Sequence, residues 1–558
     1  MKEVKKVEKR IAPLVALVGL SMLLAETAWA SDAAWEAKRE ALKNKERPLI
    51  LNADGNEMIY YPSNAPITVE AFTAQRLKDY VGTKVSTVSY CPQSSGFGFM
   101  TTTRAGEFFD RLIDMQGPRF VNAAPAFAAK GFDCLDMTAA FCRTNGMEIF
   151  VSIRVNDTHD HSYFRPGTNP KRSWLFPQWK TDNPDCLFGT DGKNPPFGSW
   201  TTVDFENPKV RDYMKKFVSD FVNNYDVDGI EYDFMRHGPI FKSVGWGAYA
   251  TMAQLRLMTD FMVELRAITE AAGRKKGKPI LILVRTADSL SYAKGLGIDV
   301  EAWLKMGVMD IWSVSDYFQL DYLKPNADLA HRYGVKFYSA LAESRVGNAV
   351  ARLQKKGMDA RMLPGRNTIA SFAAEYAAAQ AAGCDGIESF NLSTIWRDVN
   401  APELLKIDPR NTKGLDKVYF ALVRGSGGYT PERWLKNGGR FYCRPRIDPG
   451  RPIVLKTNTT FAFKMEIGDD PKAGGVAMVK AVFKSEKPVV EKLTLNGREL
   501  SLASFENGIH SFALGTSGWV CGENEFKLTP LTTADSKAVL SDFAVYINYT
   551  NYKGNATL

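Results

Sequence analysis

Between Arg47 and Ser393, short apolar runs alternate with stretches in which apolar residues recur every three or four positions. Eight runs have strand character: RPLILNADG, KVSTVSYCP, EIFVSIRVND, DGIEYDFMR, PILILVRTAD, MDIWSVSDYF, VKFYSALAES and DGIESFNLS. Their near-continuous Val/Ile/Leu content suits parallel strands covered on both faces. Helical patterns fill the gaps, among them TVEAFTAQRLKDYVG, FDCLDMTAAFCRTNG, NPKVRDYMKKFVSDFVNNY, MAQLRLMTDFMVELRAITEAAG and NTIASFAAEYAAAQAAG. Asn207 predicts an N-cap with Pro208 in the first turn, and several patterns stop at a Gly that fits a C-cap. Eight alternating units over residues 47–396 predict an α/β fold, a closed (β/α)8 TIM barrel. An open doubly wound sheet would call for a Gly-rich phosphate turn, and no GxGxxG follows the first run.

Beyond the barrel the period changes. Residues 397–416 are rich in Pro and charge and read as a linker. From 417 to 558, runs such as IVLKTNTTFAFKMEI, VAMVKAVFK, EKLTLNGREL and DFAVYIN alternate apolar and polar residues, with a hairpin signal at Asn496-Gly497. They predict a C-terminal antiparallel β-sandwich as an accessory domain. At the other end, a basic stretch, the apolar run IAPLVALVGLSMLLA and small residues at Ala28 and Ala30 predict a signal peptide over residues 1–30. The run is shorter than the roughly 20 residues of a membrane span, so the expected fate is cleavage after Ala30 and a secreted or periplasmic protein without stable membrane insertion. Residues 31–46 form a lead-in.

Composition is that of a globular chain, with 45% hydrophobic residues. The formal charge of +9 becomes +7 without the leader, which holds five Lys/Arg and three Asp/Glu. No basic block or repeat supports nucleic-acid binding. The seven cysteines are scattered with no CxxC, so mostly buried thiols are expected, with at most one or two bridges.

A barrel presents its chemistry at the C-terminal ends of its strands, and here those ends are polar. The first carries Asn52 and Asp54, the second Tyr90, the third Arg154, Asn156, Asp157, His159 and His161, and the fourth Glu231, Asp233, Arg236 and His237. Arg285 and Asp288 follow the fifth, Asp316 the sixth, Glu343 the seventh, Glu388 and Asn391 the eighth. One such acid is commonly a helix cap or an ion-pair partner. Acids on several strands converging on one mouth need pairing, solvent or a ligand. Glu231 and Asp233, two apart, point to the same side of their strand.

The stretch YDVDGIEYDFMRHGP, with NPKVRDYMKKFVSDFVNNY before it, resembles the secreted glycosyl-hydrolase-like 10 barrel family. The DGI before Asp233 is also similar to the fourth strand of the α-amylase superfamily, where the corresponding Asp is the nucleophile. The wider resemblance covers residues 47–396, including NADGN and RVNDTHDH. It implies a glycoside hydrolase acting on an oligo- or polysaccharide through paired carboxylates, with no cofactor. Such cleavage needs one carboxylic acid to protonate the leaving oxygen and one carboxylate to attack or to activate water. Asp233 is the expected nucleophile or base and Glu343 its acid/base partner, with Glu231 and Glu388 next. Where the amylase pattern has Arg two residues before its nucleophile, this chain has Glu231, a negative charge that should raise the pKa of one of the pair.

Asn52, Asp54, Tyr90, Arg154, Asn156, Asp157, His159, His237, Trp246, Arg285 and Asp316 are the expected substrate contacts. The long segment from Asp157 to Glu206 holds Tyr163, Phe164, Trp174, Phe176, Trp179, Phe188, Phe197 and Trp200; most should form the loop's own small core, with about two facing a ligand. Two other readings fit the same residues. One is a glycan-binding barrel without catalysis; the other is a metal-dependent hydrolase centred on Asp157, His159 and His161.

Overall fold

The computed structural model describes residues 33–549 apart from 96, 103–104, 111–118, 164–174, 190–192, 316, 343–350, 359–360, 393–400, 424–428, 491 and 532–537. Eight parallel strands close a barrel: β1 (Leu49–Ala53), β2 (Val85–Tyr90), β3 (Glu148–Arg154), β4 (Gly229–Asp233), β5 (Leu281–Thr286), β6 (Ile311–Val314), β7 (Lys336–Leu341) and β8 (Gly386–Phe390). Each pairs with its chain neighbours, and β1 with β8 shuts the ring. The covering helices form where capping chemistry permits. Asn207 accepts from the Lys209 amide at the start of the helix Pro208–Asn224, and Thr251 and Gln254 form a capping box on Met252–Lys276, which stops at left-handed Gly277.

Side-chain alternation divides the barrel wall. Outward residues such as Ile230, Tyr232, Ile282 and Val284 join the main core beneath the helices. Inward residues are sorted by height. The lower lumen is filled by Ile50, Phe150, Leu281, Leu283, Ile311 and Tyr338, and Leu42 of α1 (Ala33–Lys43) packs against them from below. Gly229 and Gly386 make this layer fit, since a Cβ at either would come within 2.7 Å of the Phe150 or Tyr338 ring. Above the apolar plug the inward positions turn polar.

The sandwich is built from β9 (Lys417–Phe420), β10 (Ile453–Leu455), β11 (Phe461–Ile467), β12 (Val476–Phe483), β13 (Lys492–Leu495), β14 (Arg498–Glu506), β15 (Ile509–Gly515), β16 (Gly522–Leu528) and β17 (Ala538–Asn548). β14 serves both sheets. Its first half pairs β13 and its second half β15, with an irregularity between Leu502 and Ser504. Asn496 and Gly497 both have positive φ and turn β13 into β14, the predicted hairpin.

Barrel and sandwich share a packed boundary. Ala374 and Ala377 of the barrel helix Ile369–Ala381 belong to the sandwich core. Buried Arg366 forks onto Asp542 of β17 at 2.8 Å twice and lies over the Phe420 ring. In the segment expected to be a linker, Leu404 and Leu405 are buried in the barrel core. All seven cysteines are free, four of them buried. No described helix is long and apolar enough to cross a membrane.

Candidate functional site

Two polar tiers fill the upper barrel. In the inner one, Arg285 stands among three carboxylates. Its fork donates to both oxygens of Asp233, through Nε to Oδ1 at 3.1 Å and Nη2 to Oδ2, and the Met235 amide donates to Oδ1 at 2.9 Å. Nε lies 3.7 Å from Glu231 Oε1 and Nη1 3.7 Å from Glu388 Oε1. The Phe390 ring lies under the guanidinium at 5.0 Å. All four charged residues are buried. Arg285 of β5 and Asp233 of β4 face each other in register.

Glu231 reaches across the lumen. Asn52 Nδ2 donates to its two oxygens at 2.7 and 2.8 Å, and Ser89 Oγ closes on Oε2. Burial, then the neighbouring Glu388, push the Glu231 carboxyl well above the ordinary range; Arg285 pulls the other way, and Asp233 adds to the rise. The Ser89 hydroxyl, donating to Oε2, works against that rise.

The outer tier is a mesh of opposite charges. Arg154 joins Asp54 to Asp157, with Nη1 to Asp157 Oδ2 at 2.5 Å. Arg236 Nη2 meets Asp54 Oδ2 at 3.3 Å and His159 Nε2 at 3.2 Å, and its Nη1 donates to the Tyr317 hydroxyl at 2.5 Å. Asn391 donates to Asp54 Oδ2 at 2.8 Å. Burial alone would raise both aspartates. Arg154 and Arg236 at Asp54, and His159 and Arg154 at Asp157, override it and hold both carboxyls well below their ordinary range. Burial, reinforced by His159, keeps His237 well below the usual histidine value against the pull of Asp157. His159 is the rim member, with 40% of its side chain exposed.

Backbone strain gathers at the same mouth. His237, Ser315 and Asn391, just beyond β4, β6 and β8, are non-glycine residues at φ of 58°, 72° and 55°. Left-handed backbone of this kind costs of order 1–3 kcal/mol and collects at functional sites.

Several expected contacts lie elsewhere. Tyr90 points outward into the core beneath the helices, its hydroxyl on the Gly55 carbonyl at 3.2 Å; it is the odd partner of inward Ser89. Asn156 is consumed in pinning loops, through Val203 and the Pro239 carbonyl. Trp246 lies on the loop after β4, 45% exposed, its indole N–H on the Phe188 carbonyl at 3.0 Å. Phe176 stacks on Trp200 within the main core, Trp179 stacks on Tyr213 of the helix Pro208–Asn224, and Phe188 is fully buried, so the stacked aromatics join the barrel's core and not a separate core of the loop. Glu343 and Asp316, with Phe164 and Trp174, lie outside the described residues. Ser89, Tyr317 and Phe390 were not foreseen; strand alternation from Asn52 and Glu388 singles out Ser89 and Phe390 as inward, whereas Tyr317 follows a strand end with no motif.

Among the described residues, Asp157, His159 and His237 bring ligating atoms within 4.8 Å of one another. The expected His161 instead meets the Thr158 carbonyl at 2.5 Å. The atoms of the cluster are committed: His159 Nδ1 to Asp157 at 2.7 Å, His159 Nε2 to Arg236, and His237 Nδ1 to the Thr158 amide at 3.2 Å. With Arg154 and Arg236 alongside, the donor set fits a hydrogen-bonded network better than a dication.

Fold and site together define a (β/α)8 barrel with a C-terminal β-sandwich and a carboxylate-guanidinium cluster at the barrel's C-terminal mouth. No protein-family model matches the chain, and no curated protein matches it significantly. Similar solved structures include α-L-fucosidase isoenzyme 2 from Paenibacillus thiaminolyticus, 13% identical, covering 62% of this chain and 46% of its own, with a TM-score of 0.36. The PgaB glycoside hydrolase domain from Bordetella bronchiseptica is 13% identical over 65% of this chain and 99% of its own, with a TM-score of 0.34. The GH36 α-galactosidase AgaA from Geobacillus stearothermophilus is 12% identical over 91% of this chain and 57% of its own, with a TM-score of 0.33. The chain spans less than half the length of the fucosidase. Likeness of this degree carries no information about the chemistry of the mouth.

Proposed function

We propose that the protein is an exported glycoside hydrolase of the glycosyl-hydrolase-like 10 kind, cleaving an oligo- or polysaccharide with paired carboxylates and no cofactor. The observation that carries this reading is the cluster of Glu231, Asp233 and Glu388 around Arg285 at the ends of two strands, β4 and β8. Asp233 and Glu388 both contact the one Arg285 guanidinium, which keeps the two carboxyls close enough to be weighed as an acid and base pair. Asp233 attacks the anomeric carbon or draws a proton from water, and Glu388 protonates the leaving oxygen. Glu343, at the end of β7, is the second candidate for that acid. Glu231 is a positioning residue: burial and the neighbouring Glu388 raise its carboxyl, which favours its neutral form beside Asp233. His159, exposed at the rim and oriented by Asp157 and Arg236, is the residue of the outer tier assigned to sugar hydroxyls.

One observation favours a glycan-binding barrel without catalysis: both Asp233 oxygens are already engaged by Arg285, and Oδ1 by an amide as well. A panel of oligosaccharides and polysaccharides scored for released reducing ends separates the two. The hydrolase reading expects cleavage that persists in EDTA and falls in Asp233→Asn and in Glu388→Gln or Glu343→Gln. Binding without cleavage, unaltered in Asp233→Asn, sinks it in favour of the binding barrel.

A further inference from the structure

The chain between β9 and β10 leaves the sandwich and returns to the barrel. From Tyr429 to Tyr442 it crosses the loops that follow four strands. The Arg433 carbonyl accepts from the Gly198 amide at 3.2 Å after β3, the Lys436 carbonyl from the Tyr249 hydroxyl at 2.7 Å after β4, and the Pro431 carbonyl from the Tyr292 hydroxyl at 3.0 Å after β5. After β6, the Cys443 amide just past the strap donates to the Leu320 carbonyl at 2.7 Å. Trp434 and Leu435 are buried in the barrel's own core. Gly295 makes room for them, since a Cβ there would stand 2.7 Å from Leu435.

We propose that this strap is the outer wall of the site and that Tyr429 is a positioning residue for Arg236; the proposal rests on the mouth being the reaction site. Tyr429 stacks on Tyr317 with ring centres 4.6 Å apart and planes at 22°, and the exposed Arg433 lies over the Tyr429 ring at 4.9 Å. Trp434 meets Tyr317 edge-on at 5.7 Å and Phe390 does so at 6.3 Å. Tyr317 is thereby held from three directions with its hydroxyl on Arg236 Nη1. A guanidinium is planar, so fixing Nη1 also aims Nη2, the atom that serves Asp54 and His159. Phe390 lies under Arg236 at 5.2 Å as well as under Arg285, so both tiers share one aromatic floor. Tyr429 is only half-buried, whereas Trp434 and Leu435 anchor the strap by their own burial.

The test uses the full chain and two readouts. The first is a double-mutant cycle in urea unfolding with Tyr429→Ala and Arg236→Lys, and with Tyr429→Phe as the conservative variant. The expected result is coupling of at least threefold in the unfolding constant, restored to wild-type behaviour by Tyr429→Phe, which keeps the stack. The second is turnover of 4-nitrophenyl glycosides, where Tyr429→Ala should lower kcat at least tenfold with KM changed less than threefold. Additivity in the cycle overturns the positioning role whatever the chain cleaves. Coupling in a chain that cleaves none of the glycosides supports the positioning role and counts against the hydrolase reading alone.

Discussion

The raised carboxyl of Glu231 has a thermodynamic signature that Glu231→Gln exposes. In the unfolded chain this carboxyl titrates near its ordinary value of about 4.5. In the folded barrel, burial and Glu388 raise it well above that, so the native state binds one proton more than the unfolded state over the whole interval between. A carboxyl raised by folding stabilises fully below its unfolded pKa, and the contribution is lost as pH climbs toward the folded one. One proton corresponds to about 1.4 kcal/mol per pH unit. Gln has no proton to hold, and its amide offers a donor and an acceptor to Asn52 and Ser89. The stability of Glu231→Gln relative to wild type should therefore rise with pH above about 5, with a slope of up to about 1.4 kcal/mol per pH unit until the folded carboxyl itself ionises. Urea unfolding at constant ionic strength from pH 4 to 8, followed by tryptophan fluorescence and circular dichroism, measures it. A difference that stays flat with pH, or a wild type that gains on the variant as pH rises, would refute the reasoning.

Other outcomes follow from the same geometry. Arg285→Met strips the inner tier of its buried cation and should cost about 3–5 kcal/mol at pH 7; a thermal midpoint unchanged from wild type would show that the carboxylates do not depend on it. At the domain boundary, Arg366→Met leaves Asp542 buried and unpaired and should cost about the same. Adding Asp542→Leu should return much of that loss, since an apolar pair replaces a buried ion pair at little cost; a double variant no better than the single would argue against the pairing. Glycine 497 holds φ at +82°, so Gly497→Val should destabilise the β13–β14 hairpin by about 1 kcal/mol or more, read as a lower urea midpoint.

Most of the barrel was legible because each strand is apolar on its outward face and each helix needed a cap that local sequence provides. The eight runs, the Asn207 cap and the Asn496-Gly497 turn are local facts, and the fold keeps them. Side-chain parity was harder. Tyr90 and Ser89 are neighbours; Tyr90 was the expected contact, although the register puts Ser89 in the lumen and Tyr90 outside. The partners of Asp233 were less legible still. Arg285 lies 52 residues away. Only barrel closure brings these together. The strap was invisible for the same reason, since nothing in YTPERWLKNGGRFY states that Trp434 belongs to a core begun at Leu49.

The most direct test of the central claim is the reducing-end yield of Asp233→Asn against wild type on a glycan the wild type cleaves, with both shown equally folded by circular dichroism. Removing a nucleophile or general base should lower kcat by at least about 10³-fold with binding retained. A variant that cleaves within tenfold of wild type would contradict the assignment of Asp233 to the chemistry and return the cluster around Arg285 to a purely structural role.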